Sequence, residues 1–175
     1  MKKMVLIILA VLSIIMVYNK INENEEVKIP ESAIRFRVLA NSNSVYDQKI
    51  KAEVAEKMQN ELYNILKNAK DINHARSLIN SNMDSFNRVL SSEMKDKPYS
   101  YSINYGMHEF PEKTYKGITY EAGIYESLLV TLGNGEGNNW WCVLFPPLCV
   151  LEAEETNKTD VEYKSFIKEI LSKYF

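Results

Sequence analysis

Two histidines, two cysteines and a scatter of carboxylates are the side chains of this sequence whose types are suited to chemistry. His108 stands in YGMHEFPE beside Glu109 and Glu112, and Glu121 and Glu126 follow in EAGIYE. A hydrolase would use such a set as acid and base, one group moving the proton while a carboxylate activates water or steadies charge. A zinc site of the HExxH kind needs two histidines one helical turn apart and a third ligand, a spacing that His74 and His108 do not offer. No metal and no cofactor are therefore expected. His74 falls beside Arg76, off the apolar stripe of a helix, and reads as solvated. A GxSxG elbow is missing, and nothing in the sequence requires either histidine to meet Cys142 or Cys149. The glycines of GNGEG, Gly133 to Gly137, lie between strand-like segments and not ahead of a helix, so a hairpin turn at positive φ is favoured over a phosphate cradle.

The densest chemistry lies in GNNWWCVLFPPLC, Gly137 to Cys149. Strand alternation puts Trp140, Cys142 and Leu144 on one face and Trp141, Val143 and Phe145 on the other. Both faces are apolar. Either the strand is covered on two sides or one side is left for a partner, which makes Trp140, Trp141 and Phe145 the candidate partner-binding residues. Pro146 and Pro147 cannot donate to a ladder, so the chain must turn there and can bring Cys149 back to Cys142. With six residues between them, in an exported domain, the two cysteines fit a local disulfide better than two buried thiols. A CxxC redox motif is absent.

The elements that would position these residues follow from periodicity. Ile34, Phe36 and Val38 alternate with Arg35 and Arg37 as a half-buried strand, and ANSNS after it is a cluster of turn and capping residues. Ile50, Val54, Met58, Leu62, Ile65 and Ala69 make the stripe of one long helix. Asp71 caps a second, with Ile72, Ala75, Ile79, Met83, Phe86 and Leu90 on its stripe. From Pro98 the chain turns aromatic, β-branched and glycine-punctuated, which predicts about four strands joined by hairpins. A last helix over Val161 to Phe175 carries Phe166, Ile167, Ile170, Leu171 and Tyr174. Strand, two helices, several strands, helix gives an α+β fold: a single domain with a mainly antiparallel sheet packed with two long helices and a C-terminal helix.

Limits come from the whole chain. Its 175 residues fit one domain, and Lys and Arg are scattered at a net charge of −2, so no nucleic-acid partner is expected. Lys2 and Lys3 precede the apolar run Met4 to Tyr18, a signal-type segment whose fifteen residues would span roughly 22 Å as a helix. No A-x-A site follows, so residues 1–20 are either a signal peptide or an uncleaved membrane anchor, with the N-terminus inside and the rest exported. Residues 21–30 form a polar, acidic tether, and residues 31–175 the folded domain.

IRFRVLANSNSVYDQKIK near the domain start and NYGMHEFPEKTYKGITYEAGIYESLLVTLGNGEGNNWWCVLFPPLC in the second half resemble the stage II sporulation protein R family. The resemblance covers about Ile34 to Val150. It implies a signalling protein of endospore formation that is not an enzyme. Such a protein is made in the forespore, exported into the space between forespore and mother cell, and needed there by a membrane-embedded aspartic protease. That protease processes the precursor of the early mother-cell sigma factor. No small-molecule substrate is implied. The rival from another class is a secreted cell-wall hydrolase using His108 with Glu109, Glu112 or Glu121.

Overall fold

The alternating residues after Ala33 form β1, Ile34–Leu39, which lies inside a four-stranded sheet. The computed structural model describes residues 4, 11–14, 29–115, 118–149 and 160–174. Its other elements are α1 (Val45–Leu66), α2 (Ile72–Ser81), α3 (Met83–Met94), β2 (Tyr101–Phe110), β3 (Lys113–Tyr115), β4 (Ile118–Tyr120), β5 (Gly123–Leu132), β6 (Asn139–Phe145) and α4 (Asp160–Tyr174). The sheet runs β2-β5-β1-β6, with β5 parallel to β1 and the other two pairings antiparallel. The fold is α+β with a mainly antiparallel sheet, and β3 and β4 form a separate small hairpin.

Each face of the sheet carries a core. On the front, Phe36, Val38, Leu128 and Val130 meet Ile50, Val54, Met58 and Leu62 of α1, Ile79 of α2 and Phe86 and Leu90 of α3. At roughly 1.5–3 kcal/mol per buried side chain, these stripes are what hold the helices to the sheet. On the back, Phe110, Tyr125, Trp141 and Val143 pack with Ile118 and Tyr120 of the small hairpin and Ile167 of α4. The arginines of β1 point to this back face, which is why a strand with alternating charges is covered on both sides.

Two expectations are corrected. The helix predicted from Asp71 to Leu90 is two helices divided at Asn82, whose side-chain amide donates to the Leu78 carbonyl at 2.8 Å and closes the end of α2. Asn82 then starts α3 through its own carbonyl, which accepts from Ser85 and Phe86.

GNGEG is also not a hairpin, because β1 lies between β5 and β6. The segment instead crosses the end of β1 and locks onto ANSNS. Gly137 N donates to the Ala40 carbonyl at 2.9 Å, Asn134 N to Asn41 Oδ1 at 3.0 Å and Asn138 N to Asn43 Oδ1 at 2.6 Å. Gly133 and Gly135 do take positive φ, 55° and 69°. Period-two patterning identifies strands but not their partners, which is why the crossover reads as a hairpin.

Of the N-terminal segment 1–20, residues 4 and 11–14 are helical, and the remainder lies outside the described residues with 21–28 of the tether. Among the described residues no helix is long and apolar enough to cross a membrane.

Candidate functional site

Strand β6 carries the candidate partner-binding residues, and its pairing with β1 decides where each points. Phe36 faces Cys142, Arg37 faces Trp141 and Val38 faces Trp140, but the register slips between Ile34 and Arg35, where Ile34 faces Phe145 and Arg35 faces Val143. Trp140 is half-buried on the front, edge-on to Phe36 at 5.6 Å. Trp141 is buried on the back, edge-on to Tyr120 at 4.7 Å and to Phe110 at 5.6 Å. Phe145 does not share that face as simple alternation predicts. The slip turns it into the front core, 2% exposed and 5.1 Å from Tyr174. After the turn at Pro146 and Pro147, Cys149 returns to Cys142, and the two form a disulfide with Cα atoms 5.4 Å apart. Of the three aromatics, only Trp140 therefore keeps appreciable exposed surface.

The histidines and carboxylates are dispersed. His108 on β2 pairs through Nδ1 with Ser127 Oγ at 2.8 Å and through Nε2 with Asn104 Oδ1 at 2.9 Å. Burial, and next the nearby Arg37 charge, hold its pKa below the ordinary imidazole value, so the ring is neutral at pH 7. Asn104 Oδ1 accepts from Nε2, and Nδ1 faces the Ser127 hydroxyl, which also lies 3.4 Å from the Tyr125 carbonyl. Sequence reasoning missed this serine, histidine and asparagine line because the residues come from two paired strands. As a nucleophile site it fails on access, since Ser127 is 0% exposed. Glu109 alternates to the opposite face of β2, and Glu112 and Glu121 are exposed beyond its end. Glu126 is engaged elsewhere, accepting from Arg76 Nε at 2.9 and 3.0 Å, from Arg76 Nη2 at 2.8 Å and from Tyr105 at 2.6 Å. Burial would raise its pKa, but the Arg76 and Tyr105 hydrogen bonds outweigh it and hold the carboxyl below its ordinary value. His74 lies in the first turn of α2, its backbone N–H donating to the Asp71 cap at 2.8 Å and its Nδ1 accepting from Lys70 N at 3.3 Å. Among the described residues no three His, Cys, Asp or Glu side chains converge as a metal site.

The residue that sequence reasoning assigned wrongly to a polar face is Arg35. It is 1% exposed, stacked on Tyr125 with Cζ 3.3 Å from the ring centroid, and flanked by Phe110 and Trp141 at 5.3 and 5.4 Å. Burial lowers its pKa, opposed by the Tyr125 hydroxyl. The signal available in the sequence was the density of aromatics at Phe110, Tyr120, Tyr125 and Trp141, which only pairing brings together.

A family model for stage II sporulation protein R matches residues 30–155, a span that takes in both cores except α4. The chain is similar to Stage II sporulation protein R of Bacillus subtilis (strain 168), 41% identical over 133 residues. That alignment covers 75% of this chain and 59% of the relative, so the chain spans less than two thirds of the relative's length. No solved structure matches it. With the family model covering most of the chain and 41% identity holding over 133 residues, the chain belongs to the stage II sporulation protein R family.

Proposed function

We propose that this chain acts in sporulation as an exported signal that activates a membrane-embedded aspartic protease, leading to processing of the precursor of the early mother-cell sigma factor. The family match over residues 30–155 carries the reading. Two features support it. Lys2 and Lys3 before the apolar run suit export from the forespore into the intermembrane space, with the segment either cleaved or kept as an anchor. The Cys142–Cys149 disulfide suits an oxidising compartment. In this reading the chain is a ligand and not an enzyme, and it needs no cofactor, small-molecule substrate or nucleic acid. Trp140, half-buried near the start of the edge strand β6, is the member of Trp140, Trp141 and Phe145 best placed to touch the protease. The hydrolase alternative has less support, because His108 is hydrogen-bonded to Ser127 and Asn104 and not to a carboxylate.

The test is co-expression of the sigma-factor precursor and the membrane protease, with and without this chain. Processing is expected only when all three are present. Processing at the same rate without the chain overturns the reading.

A further inference from the structure

An outer strand turns half of its backbone N–H and C=O groups to whatever lies beside it, and folded proteins blunt such edges with proline, lysine or a bulge. Of the two outer strands here, β6 is guarded. It stops at Pro146 and Pro147, and two cations stand beside it: Lys51 donates to the Asn138 carbonyl at 3.2 Å, and Lys113 lies 5.6 Å from the Trp141 ring. The other edge, β2, has no such guard. Its sequence YSINYGMHEF contains no proline, lysine or arginine, and its register with β5 runs unbroken from Tyr101 to Phe110. Among the described residues no strand pairs with its outer side.

Gly106 stands at the middle of β2. A glycine inside a strand weakens it and marks a bulge, a bend or the close approach of another backbone. The register with β5 shows no bulge, φ is not positive, and a Cβ there would meet only the Asn104 side chain, at 3.4 Å, so nothing within the chain requires glycine. The two ends of the strand also differ. At the start, α3 covers the front: the Tyr101 hydroxyl donates to the Asn87 carbonyl at 3.3 Å, and Tyr101, Ile103 and Tyr105 pack against the front core. Toward Phe110 the helical cover gives out, and Met107 and Ile124, diagonal neighbours on β2 and β5, are 63% and 67% exposed.

We propose that β2 pairs with β2 of a second copy of this chain, antiparallel about a twofold axis through Gly106, so that the two four-stranded sheets become one continuous sheet. The strand is complementary to itself in packing, charge and cover. An axis normal to the sheet keeps front against front, and it sets Gly106 opposite Gly106, Met107 opposite Tyr105 and His108 opposite Asn104 of the second copy. The exposed thioether gains an aromatic neighbour, with Ile103 of the second copy on the diagonal. Glu109, the carboxylate of this strand, faces that Ile103 and sits roughly 20 Å from its own copy, beyond the screening length of 8–10 Å. Reversal of direction brings the α3-covered end of each strand beside the bare end of the other, so the helical layers are offset along the seam. With β6 guarded, each copy offers one open edge and pairing stops at two. The contact does not depend on protease activation and can be measured without it.

Sedimentation of the full chain in density-matched detergent, across micromolar concentrations, is expected to show monomer passing to dimer and nothing larger, with a melting temperature that rises with concentration. Met107→Lys changes an exposed side chain, keeps the circular dichroism spectrum, and is expected to weaken association by at least about tenfold. A second variant reads the geometry without that change. Gly106→Cys puts a lone free thiol on the axis, since Cys142 and Cys149 are bonded to each other. A short thiol-to-thiol cross-linker is expected to couple it into a dimer and to leave Tyr63→Cys, on α1 against the β6 turn, uncoupled. A monomer at every concentration, growth past the dimer, association unchanged by Met107→Lys, or cross-linking no greater from Gly106→Cys than from Tyr63→Cys overturns the proposal.

Discussion

Asp47 shows how one side chain can fix the start of a helix to the loop that leads into it. Its Oδ2 accepts from Ser42 Oγ at 2.6 Å and from Asn41 Nδ2 at 2.8 Å, while its backbone N–H donates to the Ser44 cap at 3.1 Å. Those hydrogen bonds, Ser42 first and Asn41 next, hold its carboxyl below the ordinary value. A carboxyl lowered in the folded state adds stability that is present above the unfolded value, about 3.9, and is lost as pH falls through the folded value. Asp47→Asn is therefore expected to melt several degrees lower than wild type at pH 7, with the gap closing as pH falls through the folded value of the carboxyl. A gap that persists in acid would remove the carboxylate from the explanation. The two tryptophans separate in the same way. Trp141→Ala empties part of the back core and strips a wall from Arg35, for a loss of about 3–5 kcal/mol, whereas Trp140 is half-buried and its truncation is expected to cost less than half of that. If Trp140 contacts the protease, Trp140→Ala keeps most of its thermal stability in a melting scan yet lowers precursor processing. Loss of processing only in proportion to stability would place the contact elsewhere. The stacking of tryptophan and cysteine in one strand is legible in the sequence; that Phe145 changes face is not, because the slip depends on how β1 pairs.

Among the elements, the segment between β5 and β6 is the one whose role the sequence hides most. Its glycines announce a turn, yet what they permit is close passage over the end of β1. A Cβ at Gly137 would run into the Ser42 carbonyl, and one at Gly133 into the Asn41 side chain at a φ that disfavours side chains. Gly137→Ala has no flexible neighbour to displace, since what it meets is backbone, and is expected to destabilise the domain by about 2 kcal/mol or more in denaturant unfolding. An unchanged midpoint would show that the crossover does not require that approach. The amphipathic helices are the opposite case. Their stripes are legible from spacing alone because burial on one face is what the front core requires, and only the break at Asn82 escapes, as an asparagine can either continue a helix or close it. The β6 turn adds a local tie: by the loop-entropy argument, replacing both Cys142 and Cys149 with alanine is expected to cost about 2 kcal/mol, read as a lower unfolding midpoint.

At the scale of the whole molecule, α+β architecture is legible because helical and strand periodicities occupy separate stretches of sequence. The central position of β1 is not, since it rests on a parallel pairing with a strand roughly ninety residues later, and long-range pairing leaves no local trace. The back core shares that origin, and with it the burial of Arg35. Export belongs to this scale too, because the proposed function depends on where the entire domain resides. The apolar run behind Lys2 and Lys3 predicts that the chain crosses the membrane domain-outward. Each acidic residue placed near the centre of such a segment costs roughly 2.5–3.5 kcal/mol on insertion, so Ile8→Asp with Leu9→Asp should prevent it. Two consequences are then expected together: a protease added to wall-free cells no longer reaches the domain, and precursor processing stops. An unrelated cleavable leader fused ahead of residue 29 should restore both, because Ile29 already packs against the back core and the signal is proposed to act outside. Restored export without restored processing would make the native N-terminal segment part of the signal itself. Processing that continues while the domain stays inside would place the action of this protein on the other side of the membrane and overturn the proposed function.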